Sequence, residues 1–374
     1  MFTTLTRRAA ARILSVFENL EPESFSYLQR AQIRISRFLA TSRKTTRLAQ
    51  NLGTALVVGA ITLATASTAW AQGKPERTSI TIGLPVTTST LLPLYLAEEE
   101  GFFKNEGLNV KLVSFRGGSS MVMGMVADSV QVGVGAMTGV MVGINAGQDL
   151  SVFYAGFNMA IFDWYAVPKI KSFKEVAGKR IGVTTYGSST DFLTRYALKI
   201  NGINPKSGAQ IIQGGGSAGR MAAMDSGQLD VNIFAPPETY VAKERGYNLI
   251  LKQTDLAPDY PYHVFFASKP FIEQNPNTIR AILRGVIRGE RLAKSDKARA
   301  IKTLIARVGI DPKYAERTYD EIGKGVFEDG RLPSEVGMNA FFDSGIEAGV
   351  YKERWPQEKY WNGQFQKSYS EWKP

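Results

Sequence analysis

The chain predicts an α/β fold of two lobes, each a mostly parallel sheet covered by helices, with a ligand cleft between the lobes and two hinge crossings. Three observations carry this expectation. From residue 78 onward, strand-patterned runs alternate with helical runs of about 10–15 residues, the rhythm of a parallel sheet. That rhythm restarts near residue 179. The length of 374 residues at 44% hydrophobic and 21% charged residues fits two filled cores and excludes general disorder.

The elements follow in order. SITIGL (79–84) alternates Ile80, Ile82 and Leu84 on one face and reads as a strand. TLLPLYLAEEEGFF (90–103) is apolar at helical spacing and ends near Gly101. NVKLVSF (109–115) and VQVGVG (130–135) are the next strands, each followed by a helix, 119–127 and 137–147. The second round comprises strands 179–185, 209–213, 230–234 and 248–252, with helices at 189–200, 217–226 and 236–245. YHVFFAS (262–268) is one further strand, and the remainder reads as helical, with Pro270, Asn275-Pro276 and Asp311-Pro312 opening helices. The helical tail is expected to return onto the first lobe. The expected division is 1–71 as an N-terminal extension and leader, 72–165 as the first lobe, 166–262 as the second, and 263–374 back in the first.

Composition excludes several chemistries. Cysteine is absent, which removes disulfides, thiolate metal sites, thiol nucleophiles and a lipid-modified N-terminal cysteine. A single histidine, His263, leaves no histidine cluster for a metal, and neither metal nor cofactor is expected. The net charge of +11 is concentrated at the front, where residues 1–71 hold nine basic and three acidic residues. The remaining +5 forms no basic stripe with interleaved aromatics, so no nucleic-acid partner is expected.

Arg43, Lys44 and Arg47 precede an uncharged run from Leu48 to Gly73 that closes on Ala69-Trp70-Ala71. Basic flank, apolar segment and small residues at −3 and −1 make a secretory signal peptide, with cleavage expected after Ala71 and a periplasmic location. A retained membrane anchor is the rival, weakened by Gly53, Thr54, Gly59, Thr62 and Thr65 within the run. Residues 1–42 read as an extended basic region or as a start placed too far upstream. Arg7-Arg8 is a weak twin-arginine signal, because no apolar segment follows directly.

Several phrases closely resemble the nitrate/sulfonate/taurine and thiamine-precursor binding proteins. They are PLYLAEEEGFFKNEGLNVKLVSFRGG (93–118), SVQVGVGAMTGV (129–140), FKEVAGKRIGV (173–183), MAAMDSGQLDVNIFAPPE (221–238) and DLAPDYPYHVFFASKPFIEQNPNTIRAILRG (255–285). The resemblance implies the type II periplasmic-binding-protein fold with hinge strands near 160–167 and 262–268. It also implies a non-enzymatic receptor that hands a small solute to an ABC permease and its ATPase subunits. Such a receptor is expected to be a monomer. A solute sensor addressing a membrane receptor uses the same cleft and remains an alternative.

Loops after strands converge on a crevice at the carboxyl edge of an α/β sheet, and helix N-termini there suit anions. Hydroxyl-rich loops stand at those places: 87–90, 117–120, 137–138, 186–190 and 214–217. Any one can be a plain helix cap, since Ser and Thr are favoured caps anywhere, but five around one cleft favour ligand contact. The nominated ligand residues are Ser89, Thr90, Gly118, Ser119, Thr138, Tyr186, Ser188, Ser189, Ser217 and Glu238. Arg116, Arg195 and Arg220 can pair with a carboxylate or sulfonate, although a lone Arg is more often solvated. Phe162 and Trp164 read as hinge or core packing, while Tyr186 and Tyr240 can stack on an organic ligand. Ala235 stands where the resembling proteins often carry an aromatic residue, which leaves the polarity of that wall open.

GGGSAG (214–219) matches two enzyme patterns. As G-x-G-x-x-G it lacks the acidic residue expected at the end of the next strand, since Asp230 begins that strand. As G-x-S-x-G it offers Ser217 as a hydrolase nucleophile with His263 downstream, the enzyme alternative to a receptor. His263 lies within a strand pattern, whereas a triad histidine belongs on a loop reaching the nucleophile. A thiamine-precursor synthase fits less well, because the cysteine-rich motif of such proteins is missing.

Overall fold

A computed structural model describes residues 73–84, 87–115, 118–322 and 326–374, with the side chains of 118–120 and 122 left aside. The expected leader, its cleavage point after Ala71, and Arg116 lie outside the described residues.

Ten strands form two five-stranded sheets of identical topology. The first contains β1 (Ser79–Leu84), β2 (Asn109–Ser114), β3 (Val132–Ala136), β4 (Leu150–Asn158) and β10 (Pro261–Ser268), in the order β2-β1-β3-β10-β4. The second contains β5 (Asp163–Ala166), β6 (Arg180–Val183), β7 (Gln210–Gln213), β8 (Val231–Phe234) and β9 (Asn248–Lys252), in the order β7-β6-β8-β5-β9. β1 is parallel to β2 and β3, and β6 is parallel to β7 and β8. In each sheet the fourth strand runs antiparallel to both neighbours. The sheets are therefore mixed, because the antiparallel member arrives from the other lobe: β5 directly follows β4, and β10 follows β9.

The two crossings are tied to each other. Phe162 N–H donates to Gln253 Oε1 at 3.0 Å, and Gln253 N–H donates to Phe162 O at 2.9 Å. The reciprocal pair satisfies both backbone groups and Gln253 Oε1, while the buried Gln253 Nε2 has no partner among the described residues.

β4 (LSVFYAGFN) is buried along its whole length, so it has none of the alternation that reveals a half-exposed strand. Its outer edge is closed by the C-terminal chain. Ala155 N–H donates to Gly330 O, Phe327 N–H to Gly156 O, Val152 N–H to Tyr360 O and Asn362 N–H to Val152 O, each at 2.8 Å. An unpaired edge there would be a template for association.

Helices α1 (Leu92–Glu99), α2 (Phe102–Asn105), α3 (Gly118–Val126) and α4 (Met137–Asn145) flank the first sheet. Helices α5 (Ser189–Ile200), α6 (Ser217–Asp225) and α7 (Glu238–Glu244) flank the second. After β10 come α8 (Lys269–Gln274), α9 (Pro276–Ser295), α10 (Lys297–Thr303), α11 (Pro312–Ile322) and α12 (Glu335–Glu347). The 20-residue α9 lies along α1. The tail reaches the second lobe as well as the first. Lys199 of α5 pairs with Glu347 of α12, Lys313 of α11 pairs with Glu244 of α7 at 3.0 Å, and Arg317 sits 4.1 Å over the Tyr240 ring.

α9 and α1 approach so closely that a Cβ on Gly289 would drive into the carbonyl oxygen of Pro93. Gly289→Ala is expected to cost about 1–3 kcal/mol through overpacking, read as a lower midpoint in urea. An unchanged midpoint would show that the two helices are not in this contact.

Candidate ligand cleft between the lobes

The strand topology places the carboxyl ends of β1, β3, β4, β6 and β8 and the amino ends of β5 and β10 along one interlobe seam. Several helices that start away from this seam have their first-turn N–H groups met by side chains, although those of α2, after Gly101, are not. Ser268 caps α8 through Phe271 N–H, Asp296 caps α10 through Arg299 N–H, and Ser334 caps α12 through Gly337 N–H. The Glu76 carboxylate accepts from Asn277 N–H at 3.1 Å and Thr278 N–H at 2.8 Å, serving α9 from outside the helix. At the seam no side chain caps the turn after Thr88, nor α4 after Ala136, α5 after Ser188, α6 after Gly216 or α7 after Pro237. The hydroxyls in these loops are not spent as caps, which leaves first-turn N–H groups for another acceptor.

The structure brings several nominated residues together. Thr138 Oγ1 of the first lobe and Ser189 Oγ of the second lie 3.1 Å apart, both buried, so the lobes touch through two hydroxyls. Only one proton lies between the two oxygens, and the other remains free for an acceptor. Thr90 Oγ1 meets His263 Nδ1 at 2.9 Å, and Ser89 is buried beside it in sequence. His263 pairs with Ala136 across β10 and β3, one residue from the start of α4. Tyr262 stacks on the His263 ring at 4.1 Å and meets Phe162 edge-on at 5.3 Å.

Other nominated residues are engaged locally. Ser188 Oγ donates to Thr185 O at 2.7 Å and lies 2.9 Å from Thr190 Oγ1, shaping its own turn. Tyr186 is 59% exposed, and its hydroxyl donates to Ile211 O of the edge strand β7 at 3.2 Å. Gly118 opens α3, while the Ser119 side chain falls outside the described ones. Arg195 is paired with Asp191 at 2.8 Å and with Pro205 O at 3.0 Å. Trp164 is core, its Nε1 donating to Thr194 Oγ1 at 3.1 Å. Tyr240 packs on Tyr314 of α11.

The second lobe contributes charge. Arg220 is 3% exposed and donates to Gly215 O at 3.1 Å, Ile233 O at 2.6 Å and Asn232 Oδ1, with a 3.5 Å contact to Ser217 Oγ. Burial lowers its guanidinium to about 10, with Glu238 acting in the opposite direction. Burial also raises the Glu238 carboxyl above its ordinary value.

The hydrolase pairing does not form. His263 Nδ1 belongs to Thr90 and Ser217 Oγ to Arg220, and no hydrogen bond joins Ser217 to His263 among the described residues. Asp230 is spent on Arg180 at 2.9 Å, at the opposite end of β8 from GGGSAG. A cavity of about 240 Å³ beside Thr90 is lined by α1, α9 and α11 residues including Glu290 and Tyr319, and by none from the second sheet.

Two sheets of this order joined by two crossings define the class as a type II periplasmic-binding fold. The chain belongs to the NMT1-like family, whose model matches residues 73–308. It is 22% identical over 324 residues to YtlA of Bacillus subtilis, covering 76% of this chain and 94% of that one. It is 25% identical over 273 residues to the nitrate/nitrite binding protein NrtA of Nostoc sp., covering 64% of this chain and 59% of that one. Among solved structures it is similar to the periplasmic aliphatic sulphonate binding protein SsuA from Escherichia coli. That likeness has a TM-score of 0.64 and 18% identity, and covers 77% of this chain and 94% of that one.

Burial depresses His263 to about 3. In the unfolded chain the ring titrates near its ordinary value of about 6.5, so stability falls as pH drops from there toward 3. The ring resonances of this sole histidine are expected to stay fixed from about pH 8 to about pH 5, and titration near 6.5 would mean a solvated ring. Thr90→Val strips the ring of its partner and is expected to cost about 1–3 kcal/mol.

Proposed function

We propose that the chain is an extracytoplasmic solute-binding protein of an ABC importer. It captures a small anionic organic solute of sulfonate, taurine, carboxylate or pyrimidine type, or nitrate, by lobe closure. The observation that supports this most is the contrast in helix capping. Helix starts at the interlobe seam keep their N–H groups free of side-chain caps, whereas α8, α10 and α12, which start elsewhere, are capped by side chains. Solute binds the hydroxyls of the first lobe, Ser89, Thr90 and Thr138. Rotation about the two crossings then brings Ser189, Ser217 and Glu238 onto it, a population shift driven by contacts that exist only when closed. The closed monomer docks on a permease, and the paired ATPase subunits power release inward. The leader places the protein in the periplasm after cleavage following Ala71. NrtA and SsuA, named for nitrate/nitrite and aliphatic sulphonate, support the anionic solute class.

A thermal-shift screen of the purified protein against these solute classes tests the reading, with a serine-reactive probe in parallel. Solute at 100 times its dissociation constant adds about 2.7 kcal/mol to stability. A shift with one class and an unlabelled Ser217 is the expected result. No shift with any class, together with covalent labelling of Ser217, would overturn the receptor reading in favour of a hydrolase.

A further inference from the structure

His263 is a buried imidazole with one nitrogen engaged. It lies in β10 between β3 and β4, and Tyr262 stacks on its ring at 4.1 Å while meeting Phe162 edge-on at 5.3 Å. Its Nδ1 meets Thr90 Oγ1 at 2.9 Å, and its Nε2 has no hydrogen-bond partner among the described residues. Burial keeps the ring uncharged, so a single proton sits on one of the two nitrogens.

The two tautomers give Thr90 opposite polarity. With the proton on Nε2, Thr90 must donate its hydroxyl proton to Nδ1, and a buried N–H is left without an acceptor among the described residues. With the proton on Nδ1, the ring donates to Thr90 Oγ1, and the group left unmatched is a bare nitrogen lone pair, the cheaper of the two. This second arrangement also agrees with the wall around it. The turn after Thr88 and the start of α4 after Ala136 carry no side-chain cap, and Ala136 is the residue paired with His263 across the sheet. One proton lies between Thr138 and Ser189, and the other stays free for an acceptor. These groups offer hydrogen rather than lone pairs, and a Thr90 that accepts from Nδ1 joins them with its own proton released.

We propose that His263 is a positioning residue: protonated on Nδ1, it donates to Thr90 and leaves the Thr90 hydroxyl proton for the solute. The proposal rests on the receptor reading and adds to it a rule of polarity. The first lobe takes a head group that presents lone pairs and refuses one that presents N–H or O–H at Thr90, because two donors would then face each other. A side chain that makes no hydrogen bond in place of the imidazole frees the hydroxyl to turn either way. The rule is then lost while the charge of the site stays the same.

Two measurements on the purified protein test this. Long-range proton–nitrogen NMR correlation of the sole histidine reads its tautomer without any solute, and protonation at Nδ1 is expected. Protonation at Nε2, or exchange between the two nitrogens, overturns the proposal. Calorimetric titration with matched pairs reads the polarity rule: ethanesulfonate against ethanesulfonamide, and benzoate against benzamide. The wild-type preference for the anion is expected to shrink about tenfold in His263→Leu, chiefly because the amide binds better. It is expected to persist in His263→Asn, whose amide N–H donates to Thr90 in place of Nδ1. Circular dichroism verifies the fold of both variants, and structural damage weakens both members of a pair alike. An unchanged preference in His263→Leu, or equal weakening of both members, overturns the positioning role and leaves the receptor reading standing. If nitrate alone binds, the tautomer decides. If neither anion nor nitrate binds the wild-type protein, the receptor reading falls and the proposal with it.

Discussion

Each lobe is completed by a strand that the chain delivers on its way from the other lobe, and this constraint organises the molecule. Without β10 the first sheet would fall into β2-β1-β3 and a separate β4, and without β5 the second would lose β9. The second sheet is whole once the first crossing delivers β5, whereas the first sheet waits for β10 and the second crossing. The crossings also run side by side, held by the mutual hydrogen bonds of Phe162 and Gln253. A pair of short, tethered connections permits rotation of one lobe against the other and resists sliding or separation. The C-terminal helices add contacts at both flanks of the second lobe, through Glu347 near α5 and through Lys313 and Arg317 near α7.

The cleft follows from that arrangement rather than from a dedicated motif. Parallel strands send their helices away from the same edge, so the helix N-termini of both lobes gather where the crossings are. Elsewhere in the fold the same chain caps helices with Ser268, Asp296 and Ser334. At the seam it places hydroxyls that bond across to other elements, as Thr90 does to His263 and Thr138 to Ser189. A residue type that is ordinary at a helix start becomes informative once its hydroxyl is found facing away from the helix.

Much of this organisation is legible in the sequence, because amphipathic strands and helices write their period into the chain. β1, β3, β6 and β8 and the helices after them fall where the alternation places them. β4 is not legible by itself, because a strand buried on every residue has no period to read, and the segments 327–330 and 360–362 pair with its edge without strand patterning of their own. The hydroxyl loops are legible as a set, whereas their partners are not. His263 reads as a structural strand residue, and it is buried and neutral; that it receives Thr90 depends on β10 entering the first sheet beside β3, 173 residues from Thr90. Similarly, nothing in the spacing of Arg220, Asn232 and Glu238 reveals that the arginine turns inward onto β8 instead of outward from α6.

The two walls of the cleft differ in kind. The first lobe presents hydroxyls and an imidazole that burial keeps uncharged through the physiological range. The second presents a buried guanidinium and a carboxylate. Neutral hydrogen-bonding groups hold a solute with little penalty for solvating water, and they discriminate weakly between charge patterns. Buried charges discriminate strongly, because the wrong partner leaves one of them unpaired in a medium that screens poorly. On the proposed receptor reading, a neutral wall on one lobe and a charged wall on the other would separate capture from selection. Solute would rest first against groups that tolerate many shapes, and its charge would be read only when the second lobe arrives. The contacts that select the solute would then be the same contacts that stabilise closure, so a wrong solute would fail to shift the population between open and closed forms.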